Sequence, residues 1–499
     1  MNLRRSELLS RLAPVLELTE ADTEKGLKAI VRDGLCSQAM GTFTTGTFLV
    51  GYALALGANN AMIGLLAAIP FLANLLQVPT VLLVERVRMR KAIVVAANVV
   101  GRLALLLAVF IPLLDTPGLR LSALVGCFIV YNAGAAVSGS TWNSWMRDLV
   151  PEDRFGRYFA NRLFLATALG MVLSFVAAFA IDGWKTWLPD ALDWGYAVLF
   201  GIGAAAGFWG LYFLAVAPEP AMAPPEPFRT LRDTLSQPFR ELNFRRLILF
   251  LASWNFAVNL AAPFFTVYML GLLGFDMTFV IVVTVISQAA NLTVVRTFGQ
   301  FADRFSNKSV LAVCAPLFIA CIFAWTFTTL PERHAGTVPL LIVIHVLMGV
   351  ATAGVTLSSA NIALELAPRG QATAYMGAVS LVNSIAAGIA PIIGGLFAEF
   401  FASQELALVV RWTSGNDQMQ FDTLSLRHWD FFFLLATIIG LYSMHRLTLV
   451  AEEGEVEERE VLRALVLEAR RSIRNLSTVG GLRAGTLFPI DTLTRPFRR

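Results

Sequence analysis

Charge is what this chain has least of. Asp, Glu, Lys and Arg make up 15% of its 499 residues, while 56% are hydrophobic. A soluble globular chain is roughly a quarter charged, and so few ionic groups cannot clothe a water-facing surface of this size. That excludes the two to four soluble domains the length alone would suggest. Cysteine is scarce as well. Cys36, Cys127, Cys314 and Cys321 all sit in apolar stretches without zinc-type spacing, so neither a disulfide framework nor a metal site is expected. A net charge of +4 offers little to nucleic acid. No G-x-x-x-x-G-K-[ST] loop occurs, so direct coupling to ATP is not expected. No cluster of His and carboxylates suggests an enzyme, and no cofactor is implied. Residues 1–31 hold no long apolar run, which predicts no cleaved signal, and Arg4 and Arg5 lack the hydrophobic region of a twin-arginine signal.

What the chain does have is apolar sequence in long blocks. Residues 247–273 and 309–330 contain no charged side chain. About 20 apolar residues cross the hydrocarbon of a bilayer as a helix, the form that satisfies its own backbone there. Spans are predicted at 34–57, 62–84, 92–114, 119–143, 160–181 and 195–217, then at 247–273, 278–300, 309–330, 338–362, 374–399 and 430–450. The fold class is therefore an all-α membrane protein with twelve transmembrane helices. Residues 1–33 precede the first six-helix bundle (34–217), and 218–246, with six prolines and five arginines, read as a linker to the second (247–450). The charged tail 451–499 carries Val461, Leu462, Leu465, Val466, Ala469 and Ile473 at helical spacing, an amphipathic helix packed under the bundle or lying on the membrane.

Basic residues are unevenly shared. Arg86, Arg88, Arg90, Lys91, Arg147, Arg154, Arg157 and the linker arginines fall on one side, with only Arg120, Lys185, Arg333, Arg411 and Arg427 on the other. The positive-inside rule then places both termini in the cytoplasm, with the bacterial cytoplasmic membrane as the expected location.

The two halves repeat. Glu85-Arg86 ending in Arg90 after helix 2 parallels Asp303-Arg304 ending in Lys308 after helix 8. Asp148-Leu-Val-Pro parallels Glu365-Leu-Ala-Pro, and Gly57 parallels Gly274, all at nearly one offset. Parallel repeats of this kind place a solute site between the halves near mid-membrane. On these residues, and on Gly299, Asp303, Arg304 and Lys308 in the pattern G-x-x-x-D-R-x-x-x-K, the chain resembles the major facilitator superfamily over about 32–450. In the first copy Val81 stands where the pattern has glycine, and Glu85 where it has aspartate. The resemblance implies two pseudo-symmetric six-helix bundles that rock about a central cavity. It also implies a gating role for Glu85, Arg86, Asp148, Arg154, Gly299, Asp303, Arg304, Lys308 and Glu365. Independently of the family, a carboxylate at a helix end can face the N-terminus of a neighbouring helix, and such a bond can form in one conformation and break in another.

Polar residues inside spans are costly and face the protein interior. Asn132, Asn255, Asn259, Gln288, Asn291 and His345 are the candidate substrate contacts, with Arg296 and Arg102 as possible anion ligands; the alternative for each is bonding between or within helices. His345 and Asp33 are the candidate titrating groups. Helix 5 (160–181) has no proline, so the exporter-type glycine-proline motif is missing there; Gly388-Ile-Ala-Pro391 in helix 11 is a similar pliable point. The expected function is secondary transport of a small solute by alternating access. Its partners would be that solute, the bilayer, and protons or another coupling ion, with a monomer as the default. A non-transporting sensor or assembly factor of the same fold is the rival.

Overall fold

The computed structural model describes residues 13–15, 18–222, 236–329, 332–368, 371–414, 417–452 and 463, with backbone alone at 373, 407–414 and 417–425. The tail helix predicted around Val461 to Ile473 lies outside the described side chains.

Among the described residues, twelve long helices follow in order. They are α1 (Glu20–Thr44, continued by Gly46–Ala55), α2 (Asn60–Ala73, continued by Asn74–Leu76 and Gln77–Val87), α3 (Arg90–Ala108), α4 (Pro117–Leu149), α5 (Phe155–Trp187) and α6 (Leu192–Val216). The second set is α7 (Leu242–Val267, ending in a π turn), α8 (Met277–Phe305), α9 (Asn307–Ala324), α10 (Thr337–Glu365), α11 (Ala372–Phe401) and α12 (Trp429–Thr448). Eleven are long and apolar enough to cross a membrane. The remaining one, α1, carries Glu20, Asp22, Glu24, Lys25, Lys28, Arg32 and Asp33 in its first half and breaks at Thr45, whose hydroxyl and amide both bond to the Gly41 carbonyl.

Three boundaries differ from the sequence reading. Helix α1 starts at Glu20 rather than near 34, because Thr19 caps it by accepting from the Asp22 amide at 3.2 Å. This carries Asp33 into the buried body of the helix. The start of the predicted linker, 218–222, belongs to the first half: Pro218 accepts from the Trp145 indole at 2.9 Å, and Glu219 is fully buried. The predicted loop at 400–429 holds an antiparallel hairpin, β1 (Glu405–Ser414) with β2 (Asp417–Arg427), bulged at Leu408/Val409. We call its side the hairpin face and the opposite side the linker face.

The repeat is physical. Gly57 and Gly274 both take positive φ, 86° and 64°, one turn before α2 and α8. Arg88 and Ser306 both take positive φ at the joints α2–α3 and α8–α9. At the linker face each third helix begins on an acid contributed from beyond the sixth. Glu219 accepts from the amides of Arg90 (2.8 Å) and Lys91 (3.0 Å), opening α3. Glu452 accepts from those of Asn307 (3.1 Å) and Lys308 (2.5 Å), opening α9. Each fourth helix sends a second acid to the same place: Asp148 to the Arg90 guanidinium at 2.5 Å, and Glu365 to the Asn307 amide group at 3.0 Å. A helix start leaves amides unsatisfied and carries positive dipole, so carboxylates collect there.

Candidate functional site

The halves meet along two seams, α2 with α11 and α5 with α8. At the hairpin face these seams are shut. A Cβ on Gly64 would clash with the Pro391 carbonyl oxygen, and one on Gly395 would lie 2.5 Å from the Asn60 carbonyl. Only glycine lets the α2 and α11 backbones approach so closely. Asp182 at the end of α5 caps α8 across the seam, accepting from Met277 at 2.9 Å and Thr278 at 2.7 Å. Lys185 reaches Asp276 at 3.2 Å, and Glu399 accepts from the Asn60 amide at 3.3 Å.

Asp182 and Lys185 are not equivalent. The Lys185–Asp276 pair is exposed and contributes at most about 1 kcal/mol. Asp182 satisfies two backbone donors that no residue of α8 itself caps. Asp182→Ala is therefore expected to weaken the seal by about 1–2 kcal/mol, and Lys185→Ala hardly at all. The reactivity of a cysteine placed at 61 toward an impermeant reagent from the hairpin side measures this; equal effects of the two changes would count against it.

At the linker face the caps just described run within each half, as does the Arg154–Glu24 contact at 3.8 Å. Glu85 is half-buried, and Arg86, Asp303 and Arg304 are exposed. Arg304 lies over its own neighbour, the Phe305 ring, at 4.8 Å. The duplicated loops are thus not drawn together across the seam. Gly299 faces Leu357 of α10, within its own half.

Between the halves lies a cavity of about 310 Å³, lined by Thr167 of α5, by Ser287, Gln288, Asn291 and Leu292 of α8, and by Gly349 and Thr352 of α10. It gathers two of the predicted contacts, Gln288 and Asn291. Arg296 is exposed and follows Gln288 and Leu292 at i, i+4, i+8 spacing, one turn toward the linker face; the burial that would have required a partner for it does not occur.

The other predicted contacts also bond locally. The side-chain amides of Asn132, Asn255 and Asn259 donate to the carbonyls of Phe128, Leu251 and Asn255, four residues back. His345 Nδ1 lies 2.7 Å from the Leu341 carbonyl, and its ring packs 5.6 Å from that of Trp325. It is a packing histidine within the second half.

Arg102 lines a second cavity, of about 220 Å³, inside the first half. It is almost fully buried. Its guanidinium lies 3.7 Å from Asp33 and donates to Ser37 at 3.3 Å and to the Gly207 carbonyl, while its Nε has no partner. Arg162 of α5 shares this cavity, stacked 4.8 Å over the Trp142 ring, and its Nε is likewise unpartnered. Sequence reasoning passed over Arg162 because it stands near a span end among other loop arginines. Gly34, whose Cβ would fall 2.6 Å from the Arg162 Nε, was the available signal that a bulky group crosses α1 there. Glu219, Glu452 and Asp182 were also missed: each acts on the start of a helix distant in sequence.

Two bundles of six helices, related by repetition and with a cavity between them lined by Thr, Ser, Gln and Asn residues, define a membrane carrier. The chain matches the Major Facilitator Superfamily over residues 34–336 and 297–488, and it belongs to that family. It is a multi-pass membrane protein and a secondary transporter working by alternating access. Its fold is similar to that of the nucleoside transporter NupG (14% identity, 85% of this chain and 98% of that one, TM-score 0.62). It is also similar to the xylose transporter XylE from E. coli in an inward open conformation (14% identity, 88% and 98%, TM-score 0.57). A bacterial homologue of the iron transporter ferroportin in an inward-facing state gives 12% identity, 87% and 99% coverage, and a TM-score of 0.59. No curated protein is similar enough in sequence to stand as a relative.

Proposed function

We propose that this transporter carries a small polar solute bound between residues 34–217 and 247–450, at Gln288 and Asn291 with Thr167 and Thr352 opposite and beside them. The linker face is cytoplasmic, and so are both termini and the tail; the basic residues of the loops and linker support this orientation. The conformation described is then the inward-facing one. The observation that carries the reading is the asymmetry of the seams: backbone-tight glycine contacts and a cross-seam cap close the hairpin face, while the acids of the linker face serve their own halves. Release of the duplicated loops fits the same state. Glu85, Arg86, Asp303 and Arg304, unengaged across the seam here, engage when the linker face shuts, biasing a two-state equilibrium. A bacterial cytoplasmic membrane is the setting, and an existing solute or ion gradient supplies the driving force.

Cysteine access tests the geometry. Thr352→Cys is expected to react with a membrane-impermeant maleimide from the linker side of vesicles and to be protected from the hairpin side. Reaction only from the hairpin side would overturn the assignment. For any metabolite that raises the melting temperature of the purified protein, Asn291→Ala or Gln288→Ala is expected to weaken binding by about tenfold, the cost of one lost hydrogen bond in a site of this kind. Unchanged affinity in both variants would place the site elsewhere.

A further inference from the structure

Resting on that reading of the carrier, we infer that the chamber inside the first half is an anion subsite, which takes the singly charged carboxylate or phosphate-ester group of the solute. Its walls are α1 and α4, which hardly touch each other, with α3 and α6 behind and α5 at the side. The slot between α1 and α4 runs past Ala135 and Gly139, small and exposed residues that leave room for a ligand.

The charges in the chamber do not balance. Asp33 is the carboxylate facing it, against two guanidinium groups, Arg102 and Arg162. Asp33 and Ser37 hold one edge of Arg102 and the Gly207 carbonyl another, so its orientation is set before any ligand arrives. Its Nε remains an unused donor, nine-tenths buried and more. Arg162 is held by the Trp142 ring, and its Nε too is left over. Two cations that share one carboxylate leave a positive charge unbalanced, which is costly inside a membrane protein and marks a place where an anion belongs. The terminal N–H groups of Arg162, hydrogen-bonded to nothing among the described residues, suit an oxyanion, which accepts from several donors at once. Tyr131, on the wall of the same chamber, offers a phenolic donor. One excess positive charge suits a monoanion better than a dianion. Solutes with such a group and a polar body would span from this chamber toward Gln288 and Asn291.

Trp142 reports on the chamber directly. In the full purified chain, the tryptophan emission lost on Trp142→Phe isolates its signal. Iodide, an anionic quencher, is expected to quench that signal far more strongly than neutral acrylamide at equal ionic strength. Arg162→Gln is expected to lower iodide quenching by about tenfold, as the local anion excess disappears, with acrylamide quenching unchanged. Arg162→Lys, which keeps the charge, should retain most of it, and Arg157→Gln on the exposed face of α5 should have no effect. Relief of iodide quenching by acetate assigns a carboxylate; relief by inorganic phosphate alone assigns a phosphate ester. Relief by neither, equal relief by acetamide, or iodide quenching that survives Arg162→Gln overturns the proposal. The measurement needs no transport. A negative result therefore removes the anion subsite alone, whereas failure of the Thr352→Cys experiment removes the carrier geometry.

Discussion

A Gly64→Val variant is expected to lose the conformer closed at the hairpin face, and with it about tenfold to a hundredfold of the transport rate. The reason is what the added carbons would meet. The neighbour of Gly64 is the carbonyl of Pro391 in the middle of α11, with the Cα of Gly395 at 3.2 Å, and neither can rotate aside as a side-chain tip would. Overpacking of this kind costs about 1–3 kcal/mol or more, and each 1.4 kcal/mol moves a two-state population tenfold. The opposite conformer, in which α2 and α11 part at this face, pays no such penalty. Gly64→Val should therefore shift the equilibrium rather than unfold the protein. A cysteine at 61 would then become reactive to an impermeant reagent from the hairpin side. Gly41→Val, where a Cβ meets nothing within 4 Å, is the matched control on α1. Wild-type flux in Gly64→Val, with residue 61 still protected, would show that the seam does not open in the transport cycle.

Glu219→Ala is expected to be the most destabilising single change at the linker face, by about 3–5 kcal/mol, because it removes one of the two carboxylates that balance buried Arg90 and Lys91 together with the cap of α3. Arg90 is 1% exposed and Glu219 0%. The carboxylate bonds to the Arg90 side chain at 3.3 Å as well as to the first two amides of α3. Asp148 and the Pro220 carbonyl, at 2.8 Å, remain to hold the guanidinium, but they do not replace the cap. The equivalent change in the second half, Glu452→Ala, should cost only about 1.5–3 kcal/mol. Its carboxylate is half-buried and meets two backbone amides and the neutral side chain of Asn307. Thermal unfolding of the two variants in detergent measures the difference. Equal losses, or a larger loss for Glu452→Ala, would mean that the buried ion pair contributes less than the cap it accompanies.

The repeat accounts for why these two acids were not found from sequence. Glu85 and Asp303, or Asp148 and Glu365, lie at nearly one offset because the elements between them are alike in length. Glu219 and Glu452 do the same work at a different offset, since the hairpin β1–β2 lengthens the second half just before α12. A search at constant spacing passes over them. The central site shows a different limit. Asn132, Asn255 and Asn259 looked equal to Gln288 and Asn291 as polar residues inside spans, and local hydrogen bonds to the preceding turn distinguish them. Arg102 and Arg296 likewise looked alike. One is buried against Asp33 and the other lies open, a difference of tertiary surroundings.

Length, apolar periodicity and the spacing of glycines, acids and arginines by themselves determined that this chain is a membrane-spanning helical bundle built twice, because a bilayer permits few other ways to satisfy so much apolar backbone. Gly57 and Gly274 were legible for the same reason: a positive φ at a helix joint is a local demand that the residue type records. Which polar groups face each other was decided by tertiary structure alone. Helix packing brings Arg162 to Arg102, Asp182 to the start of α8, and Gly64 to Pro391, across separations in sequence that no local pattern encodes.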